Sequence, residues 1–377
     1  MPRRIGTLLI RLAFAYLLLQ MLINAFRAGG WDFPVYYRTG LHLLNAEPVY
    51  DLVRDGNSTF KYPPWIAPFF LPLTLFSQRI ASVVWQLLQF ASACSIFLWC
   101  RKNTRHSLTV PLSAVLFYGI FHVNILAGQI QLPLLGISLT AFDHIQRRPN
   151  LGFTSLFLAL STKIFNLFSL AGLPKGSVRG SSVAVAGVLA TLLGLPALSG
   201  FPGWNPVSAL HAYVEVATSK TVNLRGAHQG LPAFFQEAGR LLAVNVPEWD
   251  AFTAALLVAI GVLVWVKKRT ADPARVFAAS LALGAAIHPL AFSYSFLWAF
   301  PAAAFAIERA FFVGEEDPER VARRALTLIG LLLLLVIPSG MVTDWGGWVP
   351  DFGVRGVGAM CLSLNCSSSL RRRSVSK

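Results

Sequence analysis

A single carboxylate, Asp32, closes the first long apolar run of this chain, and further polar side chains stand beside the later runs. They are Lys61 and Tyr62, the pair Gly128-Gln129, Lys163, then Arg225, His228 and His288. Ionisable groups at a membrane edge are costly, so each is a candidate for function. Each also has a plainer reading. Asp32, just ahead of Phe33-Pro34, has the position of a helix cap. Lys163 can snorkel to headgroups. Gln129 can hydrogen-bond a neighbouring helix end. His228 and His288 can be satisfied structural residues, and Arg38 and Arg54 ordinary interfacial charges. No His/Asp/Glu pair near Asp32 has metal-ligand spacing, so no metal ligand and no cofactor is assigned, and a need for a divalent ion stays open. Cys94, Cys100, Cys361 and Cys366 form no CxxC or zinc pattern and read as apolar packing.

The elements that must position these groups follow from composition. Hydrophobic residues make up 55% of the chain and charged residues 13%, about half the charge usual in a soluble domain. The mean hydropathy of +0.58 leaves too little polar surface for a soluble globule. The formal charge of +15 does not point to nucleic acid, because the basic residues cluster in short loops between apolar runs. The opening stretch Ile5–Phe26 is long enough to span and lacks a small-residue cleavage site, so it reads as an uncleaved first helix. Later runs, several of them short and paired, predict helices that stop part-way with turns at membrane depth. The expected fold is an all-α polytopic membrane bundle of about 10–12 transmembrane helices with external interfacial helices. It occupies residues 1–345, with external loops over 27–79 and 200–250. A tail over 346–377 follows, disordered at its end and on an unassigned side.

Loop charge sets the expected orientation. Arg3, Arg4 and Arg11, then Arg101, Lys102 and Arg105, then Arg147 and Arg148 mark cytoplasmic loops. So do Lys175 and Arg179, then Lys267, Lys268, Arg269 and Arg275, then Arg309, Arg320, Arg323 and Arg324. Lys61–Phe76 is apolar but short and carries Pro63, Pro64, Pro68 and Pro72. It reads as a broken, re-entrant or interfacial segment, with Ile80–Cys100 as the second span. Pro34–Leu44 and Leu231–Leu242 read as helices lying in the membrane plane. In the second, Phe234, Phe235, Ala238, Leu241 and Leu242 share one face. With this orientation the polar candidates fall on the outer side. The loops were assigned from Lys and Arg clusters, so this convergence is partly independent support for one outward-facing site. The expected location is the inner or plasma membrane.

The pattern WDFPVYYRTGLHLLNAEPVYDL, followed by FKYPPWIAPFFLPL, AGQIQLPLLG and STKIFNLFSLAGL, resembles glycosyltransferase family 87, a GT-C superfamily group of membrane enzymes. The resemblance covers about residues 1 to 345 and is strongest in the first 175. Its specificity lies in the order and spacing of the motifs. The chain departs from the family at Gln131, where Asn is frequent, at NLRGAHQG, and at HPLAFSYSF. The resemblance implies transfer of a hexose, with mannose as the prior, from a polyprenyl-phosphate carrier to an extracytoplasmic glycolipid or envelope glycan. It implies inversion at the anomeric carbon with Asp32 as general base. Lys163, Arg225 and Lys61 would neutralise the leaving phosphate. Tyr36, Tyr37 and Tyr62 would line the sugar site, with Gln129, His228 and His288 as further binding candidates. Membrane lipids are the only other expected partners.

Three competing readings stand beside it. A transporter or flippase of a lipid-linked saccharide would explain half-helices and buried polar groups, but no internal repeat is visible. A non-catalytic scaffold on the same fold predicts no effect of Asp32→Asn. A channel would need a ring of charge or a filter-like run, and neither is present in the sequence.

Overall fold

Bilayer-length apolar runs fold as helices because no water is available there to pair an open backbone. The computed structural model describes residues 2–26, 30–145, 147–174, 206–218, 230–288, 293–312, 319–335 and 354–366. Among them there is no strand, and the protein is an all-α polytopic membrane protein. Among the described residues three helical stretches are long and apolar enough to cross a membrane, and a bent pair makes a fourth if it is taken as one span. The apolar run Ser182–Leu198 of the sequence lies outside the described residues.

Helix α1 (Pro2–Phe26) turns Leu17, Met21 and Ala25 inward at helical spacing, while Leu19, Leu22 and Phe26 stay exposed. Exposed leucines on a helix whose other face is buried mark a lipid-facing surface. Asn24 is buried on the inner face and donates to the carbonyl of Ile125, 2.6 Å away. Helix α2 (Phe33–Leu44) buries Phe33, Val35, Tyr36, Thr39, Gly40, His42 and Leu43. Its main partner is Pro64–Leu75, a twelve-residue 3-10 helix. Pro68 and Pro72 inside that segment remove backbone donors, which favours the tighter, irregular winding over a continuous α-helix.

Helix α3 (Gln78–Asn103) is the longest element, about 39 Å at 1.5 Å per residue. Ala81, Trp85, Gln89, Ser92, Ala93 and Ile96 form its buried face, and Ile80, Leu87 and Leu98 point outward. Helices α4 (Thr109–Leu116) and α5 (Tyr118–Ala127) meet at 61° around the buried Phe117, the bend of a broken span or a re-entrant loop. Helix α6 (Gln131–Ile145) packs on α3 and on α7 (Pro149–Ser161). A second 3-10 segment, Ile164–Gly172, then packs against α7 and α11.

Helix α8 (Pro206–Thr218) and helix α9 (Leu231–Leu241) belong to the second loop region. On α9, Phe234 and Phe235 are half-buried, whereas Leu241 and Leu242 at its end are exposed. Helix α10 (Glu248–Arg269) opens with Glu248 and Asp250 and closes with Lys267, Lys268 and Arg269. Those charges complement the helix dipole at both ends. Helix α11 (Pro273–Ala286) is buried around its whole circumference from Ala274 to Ala286, so it is the central post of the bundle. The 3-10 turn Ser293–Ala299 leads into α12 (Phe300–Ile307), which is buried throughout and continues as a π-helical turn, Glu308–Phe312. Helix α13 (Arg320–Leu335) pairs with α14 (Val354–Asn365). Helix α14 lies in the tail that the sequence left without an assigned place. It packs on α11 as well, burying Ala359 and Leu362.

Candidate active site

The site begins where the chain leaves α1. Gly30 has φ +88, and a Cβ there would stand 2.0 Å from the carbonyl oxygen of Leu126. Only glycine fits both the left-handed backbone and that close approach. Two residues on, the Asp32 amide donates to the Ala127 carbonyl at 2.8 Å. The turn after α1 is thus hung on the C-terminal carbonyls of α5.

Asp32 occupies the N-cap position of α2, yet its side chain makes no capping bond. Its carboxylate instead accepts a hydrogen bond from the Gln129 side-chain amide. Gln129 is held by its own turn. Gly128 sits at φ 68 as the left-handed cap of α5, and the Gln129 amide donates back to Asn124 at 2.9 Å. The Trp85 indole reaches from α3 and donates to the Gly128 carbonyl at 2.8 Å. That arrangement satisfies the helix end and aims the glutamine at Asp32. The other end of the carboxamide, Gln129 Oε1, is buried and has no hydrogen-bond partner among the described residues.

Two lysines supply the field around this carboxylate. Lys61 and Lys163 are its electrostatic partners. Lys61 is exposed at the rim, and Lys163 is half-buried between α7 and the second 3-10 segment. The segment that follows Lys163 is tied to α11 by reciprocal hydrogen bonds, Ser169 Oγ to the Ser280 carbonyl at 3.3 Å and Ser280 Oγ to the Ser169 carbonyl at 3.2 Å. The Asp32 carboxyl is pushed up to about 6, chiefly by burial, against the opposing pull of Lys61, Lys163 and the Gln129 hydrogen bond. Burial acts oppositely on the lysines. It lowers Lys61, and it lowers Lys163 to about 8, with Asp32 opposing in both cases. A carboxylate and an ammonium are therefore both poised near neutrality.

Aromatic rings form the wall beside them. The Tyr36 and Tyr62 hydroxyls are 3.1 Å apart, and the Lys163 ammonium lies 5.9 Å from the Tyr62 ring centre. Tyr36 stacks on Phe70 with centroids 4.8 Å apart, and Trp85 lies 5.5 Å from Tyr36 on another side. Tyr50 donates to the Tyr62 carbonyl at 2.6 Å, and its ring lies 6.0 Å from Tyr213 on α8. Burial, with Asp32 nearby, raises the Tyr62 phenol, so it stays a neutral donor. One layer away, Trp298 donates to Gln131 Oε1 at 2.6 Å.

The structure thus brings Asp32, Lys61, Tyr62, Gln129 and Lys163 together, with Tyr36 behind them. It turns Tyr37 elsewhere, where its hydroxyl donates to the Phe76 carbonyl at 2.9 Å and ties α2 to the end of the first 3-10 segment. His288 is half-buried just past the end of α11. Arg225 and His228 lie outside the described residues. Trp85, Phe70 and Tyr50 were not foreseen. The one signal for Trp85 was its place on the inward face of α3, which gains meaning only once that face is known to meet the Gly-Gln turn. Among the described residues no group of three or more His, Cys, Asp or Glu side chains could hold a metal ion.

A sequence model of glycosyltransferase family 87 matches residues 60–293. The matched part contains Lys61, Tyr62, Gln129 and Lys163, and the fold brings Asp32 to it from outside. No curated protein and no solved structure matches the chain. A match over more than half of the length, on a helical membrane scaffold with a polar site at the helix ends, assigns the chain to glycosyltransferase family 87.

Proposed function

We propose that the protein moves a hexose, mannose in the first instance, from a polyprenyl-phosphate carrier to an acceptor hydroxyl on an extracytoplasmic glycolipid or envelope glycan. The observation that carries this reading is a half-buried carboxylate flanked by two cations at the end of a membrane helix. A nucleotide sugar is confined to the cytoplasm, so a site on the outer face needs a donor borne by the membrane.

The acceptor oxygen attacks the anomeric carbon as the bond from that carbon to the phosphate oxygen breaks. Asp32 takes the hydroxyl proton, and the polyprenyl phosphate leaves with the bonding electrons. In-line displacement inverts the anomeric centre. Gln129 fixes one carboxylate oxygen, which orients the base. Lys163, with Lys61 at the rim, offsets the charge that grows on the phosphate. Lys163 is the less exposed of the two, so its effect is larger than it would be in bulk solvent. Tyr36 and Tyr62 offer hydroxyls and ring faces to the sugar.

The test is transfer in liposomes by purified protein, with labelled polyprenyl-phosphate mannose or glucose and a lipid extract as acceptor pool. Wild type should transfer label, and a folded, embedded Asp32→Asn should not. Equal transfer by both would remove Asp32 from catalysis. Movement of intact donor across the bilayer without sugar transfer would establish the transporter reading instead.

A further inference from the structure

Helices α1 and α5 carry a polar chain that the Asp32 site does not use. The Gln20 side-chain amide donates to the Tyr16 hydroxyl at 2.8 Å, and the Tyr16 and Tyr118 hydroxyls are 2.8 Å apart. The Tyr118 hydroxyl lies 3.2 Å from His122 Nδ1. The two tyrosine rings meet edge to face, with centroids 5.5 Å apart. Tyr16 stands well before the end of α1 at Phe26, and Tyr118 opens α5, which ends at Ala127. Each is about 14–15 Å along its helix from the Asp32 turn. That is half of a hydrocarbon core about 30 Å thick.

The chain lies on the outside of the bundle. Tyr16 and Tyr118 are each 39% exposed, and Gln20 and His122 beside them are half-buried. Leu12, Leu19 and Ile23 flank Tyr16 at helical spacing, and all three are exposed. A Cβ on Gly119 would meet nothing within 4 Å, so the start of α5 is open to close approach. The surface is therefore apolar with a hydrogen-bonded polar centre, at a depth where polar side chains are costly against lipid and hold helices together.

The chain runs in one direction. Because Gln20 donates to Tyr16, the Tyr16 proton is left for Tyr118 and the Tyr118 proton for His122 Nδ1. A neutral imidazole that accepts at Nδ1 carries its hydrogen at Nε2. One end of the chain is thus an acceptor, Gln20 Oε1, and the other a donor, His122 Nε2. Neither makes a hydrogen bond among the described residues. The two ends also lie at one depth. Tyr16 is level with Tyr118, and Asn24 is level with Ile125, to whose carbonyl it donates. Gln20, midway between Tyr16 and Asn24, is then level with His122. Loop charge inserts every copy of the chain the same way up. A two-fold axis along the membrane normal therefore brings an acceptor on one copy level with a donor on the other.

We propose that the face of α1 and α5 centred on Tyr16 and Tyr118 is the interface with a second copy of this chain. Gln20 Oε1 of each copy accepts from the partner's His122, and the exposed leucines close around the pair. The same two helices carry the Asp32 turn and the Gly128 turn at their ends, so the contact braces the pair that frames the site. The interface is independent of the transfer reaction and stands whether or not Asp32 is the base.

The experiment uses the full chain, tagged in separate batches with one of two fluorophores, in liposomes over a range of lipid-to-protein ratios. Energy transfer between the tags reports association. Wild type should associate reversibly as a dimer. Gln20→Leu and His122→Leu should each weaken association about tenfold, since each breaks two symmetry-related interhelical hydrogen bonds. Leu98→Ala, on the exposed face of α3, should leave it unchanged. Mixing the Gln20→Leu and His122→Leu chains restores one complete contact, so the mixed pair should form in preference to either variant with itself. A purely structural role for the two residues would give no such preference. Tyr118→Phe supplies a further variant if either leucine variant does not fold. A wild type that stays monomeric at every dilution, or mixed pairs no tighter than like pairs, would overturn the proposal.

Discussion

Replacing Lys163 by arginine separates the two proton-dependent halves of the proposed reaction. Asp32 must be ionised to accept a proton, and its carboxyl stands at about 6. Activity should therefore rise with pH through that value. Lys163 must be protonated to offset the leaving phosphate, and it stands at about 8. Activity should fall as pH rises through that second value. At pH 7 roughly nine-tenths of each group is in the required form, so about four-fifths of the protein is competent. At pH 5 or pH 9 roughly a tenth is competent, for opposite reasons. Arginine keeps its charge throughout this range. Lys163→Arg should thus abolish the alkaline limb of kcat/KM and retain full ionisation at pH 9, while the acid limb stays near 6. Lys163→Met should act differently. It removes a cation that favours ionised Asp32, so the acid limb moves upward, and overall transfer drops. The assay is the initial rate of sugar transfer in liposomes buffered on both sides from pH 5 to 9. An alkaline limb that survives in Lys163→Arg would refute the role of Lys163. An acid limb unmoved in Lys163→Met would refute its coupling to Asp32.

Three further expectations follow from the same geometry. Gly30→Ala places a methyl against the Leu126 carbonyl in a left-handed backbone. The backbone term alone costs about 1–2 kcal/mol, so the unfolding midpoint should fall and transfer with it. Trp85→Phe orphans the Gly128 carbonyl at about 1–3 kcal/mol. The turn that aims Gln129 should then loosen, which lowers kcat/KM more than it lowers expression. For orientation, cysteines at Gly56 and Ser219 should react with impermeant reagents from outside and one at Asn103 should not. Labelling of Asn103 from outside would reverse the re-entrant reading of Lys61–Phe76.

The gathering of Asp32, Lys61, Tyr62, Gln129 and Lys163 could be read ahead of the structure because polar residues beside apolar runs have few places to go. Short loops of one charge sort the remaining ends to one side, and neighbours on that side meet. Their roles in transfer rest on the proposal above, but their proximity needed only that sorting. What could not be read was direction. Tyr36 and Tyr37 are adjacent in sequence, and the helical turn between them sends one ring to Tyr62 and the other to Phe76. Asp32 has the residue type and place of a cap, yet the Gln129 amide competes for it and wins. Helix α14 was hidden for another reason. Its sequence, VRGVGAMCLSLN, mixes glycine and polar residues among apolar ones. Its small residues make sense only against α13, where a Cβ on Gly358 would meet the Gly330 carbonyl at 2.7 Å. Such a helix is specified by its neighbour rather than by its own hydropathy.

The turn bearing Asp32 is fastened to α5 through main-chain oxygens, at Leu126 by contact and at Ala127 by a hydrogen bond. Carbonyls are the same whatever side chain they carry. The fastening therefore depends on the length of α5 rather than on which side chains it carries there. One residue inserted between Tyr118 and Ala127 would rotate the helix end by about 100° and advance it by about 1.5 Å. The oxygens would then face away from Gly30 and Asp32, and every side chain of the site would remain while the site itself was gone. The geometry of the site thus rests on a count of residues between a bend and a turn.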